Sequence, residues 1–226
     1  MGGVHVIQRT TMPLYSWVVK ATSTLRLPSN ATYRANTTPG VHGAFPEFIH
    51  GLYAGNYGFD AGIMYKDEEF WLFYGPFGNT GLWKEMKISS AAQFGKTVTF
   101  TTRFSTNTII LECSRSGGGS TTMSAPIIPS AYNVLKNGCK FVRELVIAIN
   151  PDSDGVIRVP TGASFTITSF DKTDLEMGNG NTERLTRFNS VYVTGTFDSN
   201  TPKNTYNGTA YETDGLYVKD TGYASI

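Results

Sequence analysis

Residues 47–75, EFIHGLYAGNYGFDAGIMYKDEEFWLFYG, constrain this chain more than any other stretch. Short runs of aromatic, β-branched and aliphatic residues are broken at regular intervals by Gly, Asn and Asp, the pattern of a strand meander. A helix is excluded, because glycines and aromatics recur too often for a helical interior. The breaks predict antiparallel strands over 47–54, 58–66 and 69–75, joined by Gly55-Asn56-Tyr57 and by Lys66-Asp67-Glu68. In the second strand Phe59, Ala61, Ile63 and Tyr65 face one way and Asp60, Gly62 and Met64 the other. The third is apolar on both faces, which suits a strand whose outer face is covered or binds something.

Alternation of the same kind recurs along the chain. From residue 15 to 27, Tyr15, Trp17, Val19, Ala21, Leu25 and Leu27 share one parity, and Pro28 ends the run because it has no N–H for a ladder. Further strands are expected over 82–88, 96–104, 107–113, 141–149, 163–170 and 190–197, with a short helix at 174–177 or 183–187. Residues 29–46 read as loop, 114–131 as a flexible crossing between sheets, and 216–218 as an edge strand. Strands spaced this way, with no internal repeat, predict an all-β, two-sheet antiparallel β-sandwich of jelly-roll type. It forms one domain over residues 1–226, with less regular ends at 1–14 and 198–226.

Composition narrows the function classes. With 19 Lys+Arg against 18 Asp+Glu the net charge is +1, so no basic stripe is available to track phosphates and nucleic acid is a poor partner. No apolar run approaches the roughly 18 residues that span a bilayer. The low charge, 16% of residues, and the Thr/Asn/Tyr-rich make-up suit an extracellular protein whose export signal has been removed, Met1-Gly2-Gly3 being added residues. Cys113 and Cys139 allow one disulfide or two buried thiols. Sequons stand at Asn30, Asn36 and Asn207.

Few residues suggest chemistry. Asp67, Glu68 and Glu69 are adjacent in a turn, so they do not oppose each other across a cleft as a glycosidase pair must. His50 lies in the first meander strand, where it would serve as a general base with Asp60 as orienting partner and Tyr53 nearby, or else as a bonded core histidine. No Gly-x-Ser-x-Gly elbow exists. Asn150, Asp152 and Asp154, followed by Gly155, match the first half of a calcium loop, although Thr161 stands where a bidentate glutamate belongs. Turn chemistry explains the same residues. Tyr53, Tyr57, Trp71 and Tyr74 offer ring faces for sugars, with Asp60, Asn56 and Arg103 for the hydroxyls, and burial in the core is the competing use of such rings.

The succession ATSTLRLP, FIHGLYAG, GFDAGIMYK, EFWLFYG and KTVTFTTRF resembles the concanavalin A-like sandwiches, a family of lectins, glucanases and lyases. The pair GLYAG and DAGIMY is similar to secreted Bacillus proteins of uncharacterised role. The glucanase motif Glu-x-Asp-x-x-Glu is missing, and of the lyase strand Gln-Ile-His only Ile49-His50 remains, so the resemblance implies fold more than activity. The expectation is therefore a non-catalytic, lectin-like protein that binds carbohydrate through Tyr53, Tyr57, Asp60, Trp71, Tyr74 and Arg103, without a cofactor, a structural calcium at Asn150, Asp152 and Asp154 being the alternative. A polysaccharide-active enzyme using His50 and Tyr53 is the first alternative, and a surface-assembly protein the second.

Overall fold

A computed structural model describes residues 2–10, 18–34, 43–77, 80–149, 163–186, 190–196, 204–206, 209–211 and 216–224. The chain runs β1 (Gly2–Thr10), β2 (Val18–Arg26), β3 (Asn30–Thr32), β4 (Ala44–Ala54), β5 (Tyr57–Lys66), β6 (Glu69–Pro76), β7 (Lys84–Lys87), β8 (Thr97–Phe104) and β9 (Thr108–Arg115). It continues through β10 (Gly119–Pro126), α1 (Pro129–Leu135), β11 (Lys140–Ile149), β12 (Ser164–Met177), β13 (Thr182–Arg184), β14 (Ser190–Thr196), β15 (Asn204–Tyr206), β16 (Thr209–Tyr211) and β17 (Leu216–Ala224).

The predicted meander is present as β4, β5 and β6. Two-residue turns fix its register: Ala54 pairs with Tyr57 around Gly55-Asn56, and Lys66 pairs with Glu69 around Asp67-Glu68. Asp67 and Glu68 both take positive φ, 52° and 61°, as a tight hairpin turn that follows the strand twist requires. This makes the acidic trio a turn, with Glu69 paired to Lys87 across the sheet at 2.9 Å.

Two antiparallel sheets form a β-sandwich. One has seven strands in the order β14-β1-β11-β4-β5-β6-β7. The other has ten, its path being β10-β9-β8-β2-β12-β17-β15, with β3 and β13 on β12 and β16 on β17. The core between them draws Phe48, Leu52, Phe59, Leu72 and Phe141 from the first sheet and Leu25, Phe100, Leu111, Phe165 and Phe170 from the second, all fully or almost fully buried. At roughly 25 cal/mol per Å² of apolar surface, that layer is the main source of stability.

Several expectations change. Gly2–Thr10 is an interior strand of the seven-stranded sheet, between β11 and β14, although its sequence is polar at one end. Residues 114–131 hold β10, which pairs with β9 around Gly117 and Gly118, and α1 follows. Both proposed helices are absent, since β12 runs through to Met177 and residues 182–184 form β13 against it. β17 is an inner strand, flanked by β12 and β15. Cys113 and Cys139 are buried free thiols.

Candidate functional site

Alternation along β4 sorts its residues onto two faces. Phe48, His50 and Leu52 point between the sheets, while Glu47, Ile49, Gly51 and Tyr53 take the outer face of the seven-stranded sheet. Register then brings acidic residues of neighbouring strands to that outer face. Glu144 of β11 lies opposite Ile49, and Asp60 of β5 lies opposite Gly51. Beside them Ile49, Met64, Phe73 and Val146 form a small apolar patch against which Trp71 packs. Glu47 and Glu144 are nearly covered, at 4% and 6% exposure.

Tyr53 ties this cluster together. Its hydroxyl donates to Oδ1 of Asp60 and lies 3.4 Å from Oε1 of Glu144. The phenol leans over Gly51, where a Cβ would stand 2.5 Å from the Tyr53 hydroxyl, so the glycine makes the bridge sterically possible. Phe77 stacks on the other side of the ring, 5.1 Å between centroids.

Burial and mutual repulsion set the protonation of the cluster. Asp60 is pushed up to about 7 by burial and by the charge of Glu144, against the opposing effect of the Tyr53 hydrogen bond. Burial, with repulsion from Asp60 and Glu144, also holds Glu47 well above the usual carboxylate range. The Tyr53 phenol is raised by burial and by both neighbouring carboxyls, so it stays neutral and acts as a hydrogen-bond bridge. Below neutrality Asp60 and Glu47 therefore hold protons beside Glu144, a grouping of carboxyls of the kind that general acid–base catalysis uses.

Tyr53 also borders an open cleft of about 620 Å³, shared with Asn56, Tyr57, Val134, Cys139 and Lys140. The β4–β5 turn forms one wall, and the chain from α1 into β11 forms the other.

The expected ligand-binding residues divide. Tyr53 and Asp60 meet directly, and Tyr57, 42% exposed, joins Tyr53 at the cleft. Trp71 is half-buried on the outer face, its indole N–H donating to the Lys66 carbonyl at 2.9 Å with the Lys66 ammonium 5.6 Å from the ring. Tyr74 points into the inter-sheet core at 1% exposure, so it lines no accessible surface. Arg103 belongs to β8 in the other sheet, where it pairs with Glu112 at 3.0 Å. The six therefore do not form one trough.

His50 is not a base for this face. It lies in the core with Ser23 Oγ 2.7 Å from Nε2 and Thr102 Oγ1 3.1 Å from Nδ1, against the rings of Phe100, Phe141 and Phe170. Burial, with the nearby Arg143 charge, lowers it to about 3, so it is neutral, and Asp60 lies on the opposite face. Asn150, Asp152 and Asp154 lie outside the described residues. Among the described residues no group of three or more His, Cys, Asp or Glu side chains is placed to hold a metal.

Sequence reasoning missed Glu47 and Glu144. The available signal was Arg143-Glu144, a charged pair inside the otherwise apolar FVRELVIAI. Adjacent residues of a strand face opposite ways, so such a pair places a charge on each face of a buried sheet.

No protein-family model matches the sequence, and a search of curated proteins finds no match, so nothing ties the GLYAG and DAGIMY pair to Bacillus proteins. The fold has solved counterparts. Scytalido-glutamic peptidase, determined with a peptide-based transition-state analog, matches 98% of this chain and 97% of its own at a TM-score of 0.57 and 12% identity. SCP-B, a member of the Eqolisin family of peptidases determined with the tripeptide Ala-Ile-His, matches 98% and 96% at a TM-score of 0.54 and 12% identity. A glycosyl hydrolase family protein from Mycobacterium fortuitum overlaps 70% of this chain at a TM-score of 0.41, too distant to carry an argument. These likenesses are of fold. They correct the expectation of a non-catalytic, lectin-like sandwich: the two chains named above that match this architecture end to end are peptidases, Tyr74 is buried in the core, and Arg103 lies on the other sheet.

Proposed function

We propose that this protein is a hydrolase working at acidic pH, cutting peptide bonds with the carboxyl cluster on the outer face of its seven-stranded sheet. The observation that carries the reading is the convergence of Asp60 and Glu144 on one hydroxyl, that of Tyr53, with Glu47 buried on the same face. Peptide is preferred to sugar as substrate because both full-length architectural matches are peptidases. The low charge of the chain favours an extracellular setting for such chemistry.

In this mechanism the Glu144 carboxylate takes a proton from water as the water oxygen attacks the scissile carbonyl carbon. The Asp60 acid gives its proton to the carbonyl oxygen. On collapse of the tetrahedral intermediate Asp60 recovers that proton from a hydroxyl, and Glu144 delivers its own to the departing nitrogen. Water and one amide become one acid and one amine, and both residues return to their starting states. Tyr53 holds the two carboxyls in register, and Glu47, buried on the same face, is itself held protonated by burial and by its two acidic neighbours.

Two carboxyls in this arrangement are also the machinery of glycoside hydrolysis, which defines the test. The protein is incubated at pH 4 and pH 8 with an unstructured protein and with a panel of β-glucans and alginate. The proposal expects new peptide termini by mass spectrometry at pH 4, strongly reduced at pH 8. New reducing or unsaturated sugar ends without peptide cleavage would overturn the substrate class, and no cleavage of either would overturn the enzyme.

A further inference from the structure

The cleft beside Tyr53 is a separate feature from the carboxyl cluster, yet one side chain belongs to both. The Tyr53 hydroxyl reaches Asp60 and Glu144, while the same residue borders the cleft formed with Asn56, Tyr57 and Lys140. Whatever occupies the cleft therefore sits next to the reacting bond. Lys140 and Tyr53 are direct cross-strand partners, so their side chains leave the same face of the sheet and both border the cleft. The Cys139 thiol, raised by burial to about 11, is neutral. The cleft thus presents one cation, an amide from Asn56 and the exposed ring of Tyr57. A cation with hydrogen-bond donors in a partly enclosed space recognises a carboxylate.

We propose that this cleft takes a carboxylate of the substrate, held by Lys140 and Asn56, next to the bond that is cut. The source is an aspartyl or glutamyl side chain or the free C-terminus of a peptide, which share this chemistry. The inference rests on the hydrolase reading for its substrate class, and makes Lys140 a specificity-determining residue.

The test uses peptides in matched pairs: one with Glu against Gln at a single position, both termini blocked, and one with a free against an amidated C-terminus. Charge-assisted contacts of this kind correspond to about a tenfold or larger preference. At pH 5.5 the wild type is expected to prefer the acidic member of one pair by about tenfold in kcat/KM, which identifies the source. Lys140→Gln abolishes the preference, and Lys140→Glu reverses it toward a lysine-bearing peptide. At pH 3.5, below the usual side-chain carboxyl range, the glutamyl preference disappears as that group becomes neutral. Equal cleavage within both pairs, or a preference unchanged in Lys140→Gln, would overturn the assignment. Calorimetric binding of the same peptides to Glu144→Gln separates the two readings. Discrimination in binding without cleavage by the wild type removes the hydrolase and keeps the cleft, whereas cleavage without discrimination does the reverse.

Discussion

Asp60 and His50 sit two strands' faces apart and respond to pH in opposite senses. The folded Asp60 carboxyl titrates near 7 against an ordinary value of 3.8, so between those limits the folded state holds a proton that the unfolded state has released. Its contribution to stability is full below about pH 4 and is lost as pH rises through 7. His50 titrates near 3 rather than 6.5, so its neutral burial costs stability as pH falls from 6.5 toward 3. Asp60→Asn replaces the carboxyl with a neutral group of the same shape. The variant is expected to melt above the wild type at pH 8, with the gap closing by pH 4, in calorimetric scans across that range. Tyr53 and Asp60 were legible in the sequence as candidate binding residues of the aromatic meander, although Asp60 was also read as a partner for His50. Glu144 was not, because inside FVRELVIAI only cross-strand register shows which carboxyl it meets. His50 was legible as a histidine in a strand, but its partners Ser23 and Thr102 come from the other sheet and leave no local trace.

At the scale of the element, β4 does most of the positioning. One strand sends Phe48, His50 and Leu52 into the core and Glu47 and Tyr53 outward, and a slip of one residue would exchange them. Gly51 is the point where this strand yields to the site. Gly51→Ala would push a methyl group into the Tyr53 hydroxyl and separate it from Asp60 and Glu144. Peptide cleavage is expected to fall about tenfold or more while the melting temperature moves little, because a side chain and not backbone gives way. Gly62→Ala is the contrast, since its added carbon meets the Phe48 carbonyl oxygen, and there the loss appears as stability. The meander was readable because its turns carry Gly55-Asn56 and Asp67-Glu68. β10 was hidden by GSTTMSAP, whose glycine and proline lie at its ends, and the reach of β12 to Met177 depends on β2 and β13 pairing with it.

The described residues form two layers around a largely apolar core, and the cysteines report on it. The Cys113 and Cys139 thiols are raised by burial to about 12 and about 11. Both are expected to resist an aromatic disulfide reagent at pH 8 in the native protein and to react in denaturant, two per chain; prompt native reaction of either would place it outside the core. The two-sheet architecture was legible from alternation alone, whereas the enzymatic reading was not, because its carboxyls come from three strands separated by up to 97 positions, Glu47 to Glu144. Whether those carboxyls perform hydrolysis is tested by the pH–rate profile of peptide cleavage for the wild type and Glu144→Gln. Wild-type activity is expected to fall away above about pH 7, where Asp60 ionises, and Glu144→Gln to lose about a hundredfold or more at every pH. A Glu144→Gln profile that overlays the wild type, or a wild-type rate that keeps rising above neutrality, would contradict hydrolysis by these carboxyls.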